Sequence, residues 1–218
     1  MGRVFDPENG LFRTIGQMTD VFLLSGAWVV CSLPLVTIGP ATAALYYGVV
    51  KCVRRREPRV LANFWSAFKG NLKTGSLLTL IVGPLAALLM GGRQLLGLMA
   101  AQGDAVAQVM WVAYTLAMVI PLGVCAWVFP LISRFDSGLA GALNTAFRLC
   151  LGRLPVTVWS VAAGVVCCWL TVRFWFLPLW LVCPGLWALL SSFGMERVFR
   201  RSIPDPGAED EDKPWYLR

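Results

Sequence analysis

The chain has 218 residues, of which 57% are hydrophobic and only 14% charged. Soluble domains carry about 25% charged residues, so composition argues against a water-wetted globule and equally against a disordered chain. Histidine is absent, which removes the commonest general base, every imidazole metal ligand and the usual pH switch.

The first residues, MGRVFDPENGLFRTIGQMTD, carry Asp6, Glu8 and Asp20 and no short apolar core with a cleavage site. They read as mature protein rather than a signal peptide. Position 6 is Asp, where a myristoylation motif needs Ser or Thr. The first apolar run is Val21 to Ile38, with Pro34 near its end. Gly39-Pro40 is expected to break the helix there. A short second run, Ala41 to Val53, follows at once. It reads as a tilted span with Lys51 snorkelling to the interface, or as a re-entrant segment. Gly26, Ala27, Ala41, Ala43 and Ala44 would let the first two helices pack closely.

A basic stretch comes next, with Lys51, Arg54, Arg55, Arg56 and Arg59. It leads into Val60 to Lys73. Val60, Leu61, Phe64, Trp65, Phe68 and Leu72 share one helical face there, opposite Lys69 and Lys73. That pattern predicts an amphipathic helix lying on the membrane surface. Phe64, Trp65, Phe68, Lys69 and Lys73 are its candidate contacts to lipid or a partner.

The third run, Gly75 to Gly92, contains Pro84, and Gln94 to Asp104 reads as a loop or short surface helix. The fourth run, Ala105 to Ser133, is long and contains Pro121 and Pro130. Arg134 to Arg153 has Leu139, Leu143 and Phe147 on one face and reads as a second surface helix. Ser137 is its expected N-cap, and Phe147 and Arg148 are its candidate contacts. The fifth and sixth runs are Pro155 to Val172 and Phe174 to Gly194, with Arg173 between them. From Glu196 the chain is read as polar. Residues 1–200 are expected to form one membrane domain and 201–218 a disordered cytoplasmic tail. Ser66-Ala67-Phe68-Lys69 and Thr145-Ala146-Phe147-Arg148 make a weak internal repeat, which surface-helix chemistry alone would also produce.

The expected fold is therefore all-α: a polytopic helical membrane protein with about six transmembrane helices and two amphipathic helices at the cytosolic face. If all six runs cross, every one of the 19 lysines and arginines except Arg93 and Arg173 falls on one side. The positive-inside rule then makes both termini cytoplasmic. It also reads the net charge of +7 as a topology signal, so no nucleic-acid partner is expected.

Candidate chemistry is sparse. No motif for a hydrolase, kinase, zincin or nucleotide loop is present. The seven cysteines form no C-x-x-C pair and read as small buried hydrophobes. No catalytic residue, metal or cofactor is expected. Asp20 beside Arg54 to Arg56 is the one combination that could handle a lipid phosphate. Arg173 with Trp175 and Trp180 is the candidate for a weak external ligand site.

The most distinctive segment is CSLPLVTIGPATAALYY, Cys31 to Tyr47. With Asp20 before it, it resembles the YesL-like family of bacterial membrane proteins of unknown function. The resemblance rests on Asp20, Leu33, Pro34, Thr37, Ile38, Gly39, Pro40, Ala44, Leu45 and Tyr46. It continues in Phe64, Phe68, Lys69, Asn71 and Lys73, so it is specific over roughly residues 5–75. The basic run Arg54-Arg55-Arg56 departs from the mixed-charge turn expected there. The family resemblance implies a small inner-membrane protein whose genes often lie beside those for carbohydrate ABC transport and glycan degradation. The expectation is a non-enzymatic protein accessory to carbohydrate uptake or utilisation. Its partners would be the bilayer and a carbohydrate ABC permease or a second copy of itself. The alternative is a small transporter or channel for a sugar or other solute.

Overall fold

The computed structural model describes residues 10–54, 59–134, 138–174 and 177–202. Among the described residues eight α-helices follow one another, and there is no strand. They are α1 (Gly10–Cys31), α2 (Ile38–Gly48), α3 (Val60–Ala101), α4 (Ala105–Ala117), α5 (Val119–Ile132), α6 (Gly138–Gly152), α7 (Leu154–Phe174) and α8 (Leu177–Ser202). A 3-10 turn, Leu35–Thr37, precedes α2, and a π-helical stretch, Val49–Arg54, extends it. Among the described residues four segments are long and apolar enough to cross a membrane: Leu35–Val53, Val60–Ala101, Ala105–Ile132 and Leu154–Arg173.

The turn between the first two helices lies earlier than the sequence reading put it. α1 stops at Cys31, and the chain reverses through Ser32 to Pro34. Thr37 Oγ1 lies 2.6 Å from the carbonyl oxygen of Cys31 and 2.7 Å from that of Pro34, so the hydroxyl caps the end of α1. Gly39-Pro40 does not break a helix; it sits in the first turn of α2. A proline costs nothing there, because first-turn amides have no acceptor inside their own helix. The Gly39 amide is another such donor, and it donates to Thr79 Oγ1 at 2.9 Å. Thr79 in turn donates to the Gly75 carbonyl at 2.8 Å. The start of α2 is thereby locked onto α3. It also lengthens the short second run into a 19-residue segment.

α2 is the hub. Ala43, Tyr46 and Val50 enter one core with Leu78, Trp127, Val128, Leu131 and Phe199. Ala41, Ala44, Leu45, Val49 and Val53 enter a second core with Val21, Leu24, Phe64 and Phe68. A helix that is apolar all round is buried all round. The Leu35–Val53 segment is 72% buried, whereas the apolar windows of α3 and α7 are 11% and 17% buried. Lys51 belongs to this interior. It does not snorkel outward: it is 7% exposed and its Nζ donates to Tyr47 Oη at 3.3 Å.

The expected surface helix, third run and following loop are one continuous helix of 42 residues. At ~1.5 Å per residue α3 is about 63 Å long, roughly twice a hydrocarbon core. It carries two sets of neighbours. Gly75 meets Pro40 of α2, while Gly92 and Gly97 meet Tyr114 and Trp111 of α4. Pro84 sits on an exposed face and does not interrupt it. The helix ends where Gly103 adopts φ +90 and Asp104 caps α4 by accepting from the Val106 amide at 2.9 Å.

The fourth run divides at Met118 into α4 and α5. Pro121 has no amide to offer the Ala117 carbonyl. The bonds from Met118 N to Tyr114 O and from Leu122 N to Met118 O keep the path continuous. α6 buries Ala142, Ala146, Leu149 and Cys150 against the core that includes Trp127 and Leu131. The stripe of Leu139, Leu143 and Phe147 is not its buried face: the two leucines pack at the edge and Phe147 is exposed. Phe68 is buried, so the two copies of the short repeat are not equivalent. Ser137 lies outside the described residues. α8 continues past Gly194 to Ser202, and Glu196, expected in a polar tail, is buried within it.

Glycines 39 and 75 are required by backbone contact. A Cβ on Gly75 would lie 2.7 Å from the Pro40 nitrogen, and one on Gly39 would lie 2.5 Å from the Gly75 carbonyl. Gly75→Ala should destabilise the protein by about 1–3 kcal/mol through overpacking. Gly70→Ala, with nothing within 4 Å of the new methyl, should be neutral or stabilising. Thermal unfolding of the two variants in one detergent checks this; equal melting temperatures would refute the contact.

Candidate functional site

Two features of the interior combine several elements. The first is a polar node beside the core that contains Trp127 and Phe199. Arg134, just after α5, forms an ion pair with Glu196 of α8, Nη1 to Oε1 at 2.6 Å. Both side chains are under 10% exposed, at 8% and 5%. The Arg134 guanidinium stacks over Phe199 at 5.3 Å. Phe199 meets Trp127 edge-on at 5.6 Å. Trp127 Nε1 donates to Thr157 Oγ1 at 2.9 Å. One node thus ties α5, α7 and α8. Its charges face each other, which describes a structural lock rather than a reactive group.

The second feature is a cleft of about 600 Å³ between α5 and α7, floored by α1, α2 and α8. Ordinary ligand sites run to about 300–1,000 Å³. Leu122, Cys125 and Phe129 of α5 face Val161, Val165, Cys168 and Val172 of α7 across it, with Trp28 and Trp187 below. Among the described residues no charged side chain lines it. The polar atoms that do are committed within the chain. Trp28 Nε1 donates to Thr42 Oγ1 at 3.1 Å, and Thr42 donates to the Ile38 carbonyl at 2.7 Å. Trp187 Nε1 donates to the Ser160 carbonyl at 3.1 Å, and Ser160 donates to Ser191 Oγ at 3.0 Å. Thr171 donates to the Cys167 carbonyl at 2.6 Å. Cys125, Cys167, Cys168 and Cys183 also line the cleft. Among the described residues no three metal-ligating side chains come together.

The residues singled out from sequence are dispersed. Pro34, Thr37, Gly39 and Pro40 build the α1–α2 turn. Asp20 is half-buried on α1, and Tyr46 is buried at 2% exposure in the core. Phe64 and Phe68 do not face lipid or a partner: they stack at 6.2 Å and are buried between α1, α2 and α3. Their face of α3 is covered because α3 is not a free surface helix. Trp65 remains half exposed, with Lys69 Nζ 5.4 Å from its ring centroid. Lys69, Lys73, Arg148 and Arg173 are exposed. Arg55, Arg56, Trp175 and the side chains of Arg54 and Trp180 lie outside the described residues.

Sequence reasoning missed Glu196 and the cleft. Ser25 Oγ donates to the Val21 carbonyl at 2.8 Å and accepts from the Gly185 amide at 2.9 Å, which joins α1 to α8. Gly26 likewise faces Leu181 of α8, not α2. The signal for the Ser25 contact was a hydroxyl inside an apolar run, where a neighbouring helix is the usual partner; nothing local pointed to Gly185.

The described chain is thus an all-helical protein with several helices fit to span a membrane. Residues 21–91 match the family model described as a protein of unknown function, DUF624. The match covers the second half of α1, all of α2 and about three-quarters of α3, and the YesL-like resemblance is consistent with it. No curated protein and no solved structure matches the chain.

Glu196→Ala should cost about 3–5 kcal/mol, because it strips a buried guanidinium of its carboxylate. The apolar pair Arg134→Met with Glu196→Leu should recover much of that loss. Thermal unfolding of the single and double variants checks the sign; a double variant no better than the single would refute it.

Proposed function

We propose that this is a non-enzymatic multi-pass protein of the bacterial cytoplasmic membrane that acts by contact with other membrane components. It crosses six times, with α1, the α2 segment, α3, α4–α5, α7 and α8 as the crossings and both termini cytoplasmic. The charge bias supports that orientation: Arg93 and Arg173 are the only two of the 19 basic residues outside the segments assigned to the cytosolic side. The partner we favour is a carbohydrate ABC permease. Support for that class comes from the family resemblance.

The observation that carries a contact role is the commitment of polar atoms around the cleft. A sugar entering it would have to give up water around several hydroxyls, at about 1–3 kcal/mol for each left unpaired. The described lining offers no charge, and its hydroxyl protons are already donated. The alternative of a sugar transporter draws less support for that reason. A surface for contact lies elsewhere, in the groove where Phe22, Leu23 and Val30 of α1 face Leu61 and Trp65 of α3.

Affinity capture of the full chain from native membranes should recover sugar-permease subunits. Leu61→Asn combined with Trp65→Ser should lose them. Recovery of abundant bystanders alone would refute the partner. Reporter fusions should place Gly103 outside and the C-terminus inside; the reverse would refute the orientation.

A further inference from the structure

We propose that the cleft between α5 and α7 is a binding site for one acyl chain of a bilayer phospholipid. The inference rests on these helices standing in the bilayer, not on the carbohydrate-permease reading.

The cleft opens sideways along α7. Val165 and Val172, which line it, are 56% and 66% exposed. They are continuous with Val158, Val166 and Trp169, the exposed apolar face that α7 presents to lipid. The mouth is therefore a part of the lipid-facing surface that folds inward. Its walls match a neutral chain. Among the described residues they carry no charge, and their hydroxyl and indole protons are spent on the protein itself, so an apolar occupant leaves none of these donors unsatisfied.

Size excludes the other membrane occupant, a helix of another protein. A helix with its side chains is about 10 Å across, so a 600 Å³ cleft would take only about one and a half turns. A flexible acyl chain a few ångströms wide fits a space of that volume. Gly164 lets the Trp187 indole pack against α7 and close that end of the space, since a Cβ there would lie 3.0 Å from Trp187 Nε1. Phospholipid is also the ligand always present in excess at the mouth, so mass action favours it.

The test reconstitutes the full chain in vesicles of phosphatidylethanolamine and phosphatidylglycerol. A small fraction of the phosphatidylglycerol carries a diazirine midway along one acyl chain. After irradiation, adducts are mapped by mass spectrometry. Adducts at residues 122–129 and 161–172 should exceed those at Val109 and Leu116, exposed positions of α4, several-fold. Val165→Trp and Cys168→Phe place bulk at the mouth from exposed positions, so folding should survive, as circular dichroism would confirm. Each should cut the cleft adducts several-fold and leave the α4 adducts unchanged. Equal labelling of cleft and α4, or cleft labelling indifferent to both variants, would overturn the proposal. A failed permease capture would leave this result untouched.

Discussion

The fold depends on one close approach, that of Gly75 to Pro40. A helix that is buried on every side can be held only by neighbours that reach its backbone. α2 is such a helix. Glycine on α3 brings that helix against the first turn of α2, and the Thr79 hydroxyl then serves two backbone groups there, accepting from Gly39 and donating to Gly75. In an apolar medium an unpaired first-turn amide costs several kcal/mol. The same contact therefore supplies packing and pays the polar debt of the turn. α1, α3, α5 and α8 pack directly against α2, and α6 packs against α5.

This explains why the signature turn was legible as a unit but misread in detail. Pro34, Thr37, Gly39 and Pro40 were visible as a break in hydropathy. Which of them ends a helix and which begins one depends on hydrogen bonds from Thr37 to Cys31 and from Gly39 to Thr79. The second bond reaches across 40 positions in the chain, which no local pattern reveals. The all-helical class and the apolar segments followed from composition and run length. The continuity of α3 did not, because Lys73-Thr74-Gly75 resembles a boundary when the neighbour that requires Gly75 is unknown.

The candidate site was less legible for a related reason. Periodicity marks a face as apolar, but it cannot say whether that face meets lipid or protein when both are equally apolar. Phe64 and Trp65 are adjacent and chemically alike, yet one is buried and the other half exposed. Glu196 misled in the opposite sense. A carboxylate after Gly194 reads as the start of a polar tail until Arg134, 62 positions away, is seen to neutralise it.

The distribution of polar groups then bears on what the molecule does. Described hydroxyls and indoles in the interior donate to backbone or to each other: Ser25, Trp28, Thr42, Trp127, Ser160, Thr171 and Trp187 all have partners inside the chain. Ser32 Oγ, in the α1–α2 turn, is an exception. A path for a polar solute needs groups that exchange partners with the solute as it passes. Groups already satisfied make a wall that water and sugars avoid and hydrocarbon tolerates. The described interior has that character, and its exposed surface is largely apolar along α3, α4 and α7. The weight of functional inference therefore moves outward, from a route through the protein to the surfaces and clefts it shares with lipid and with other helices in the same membrane.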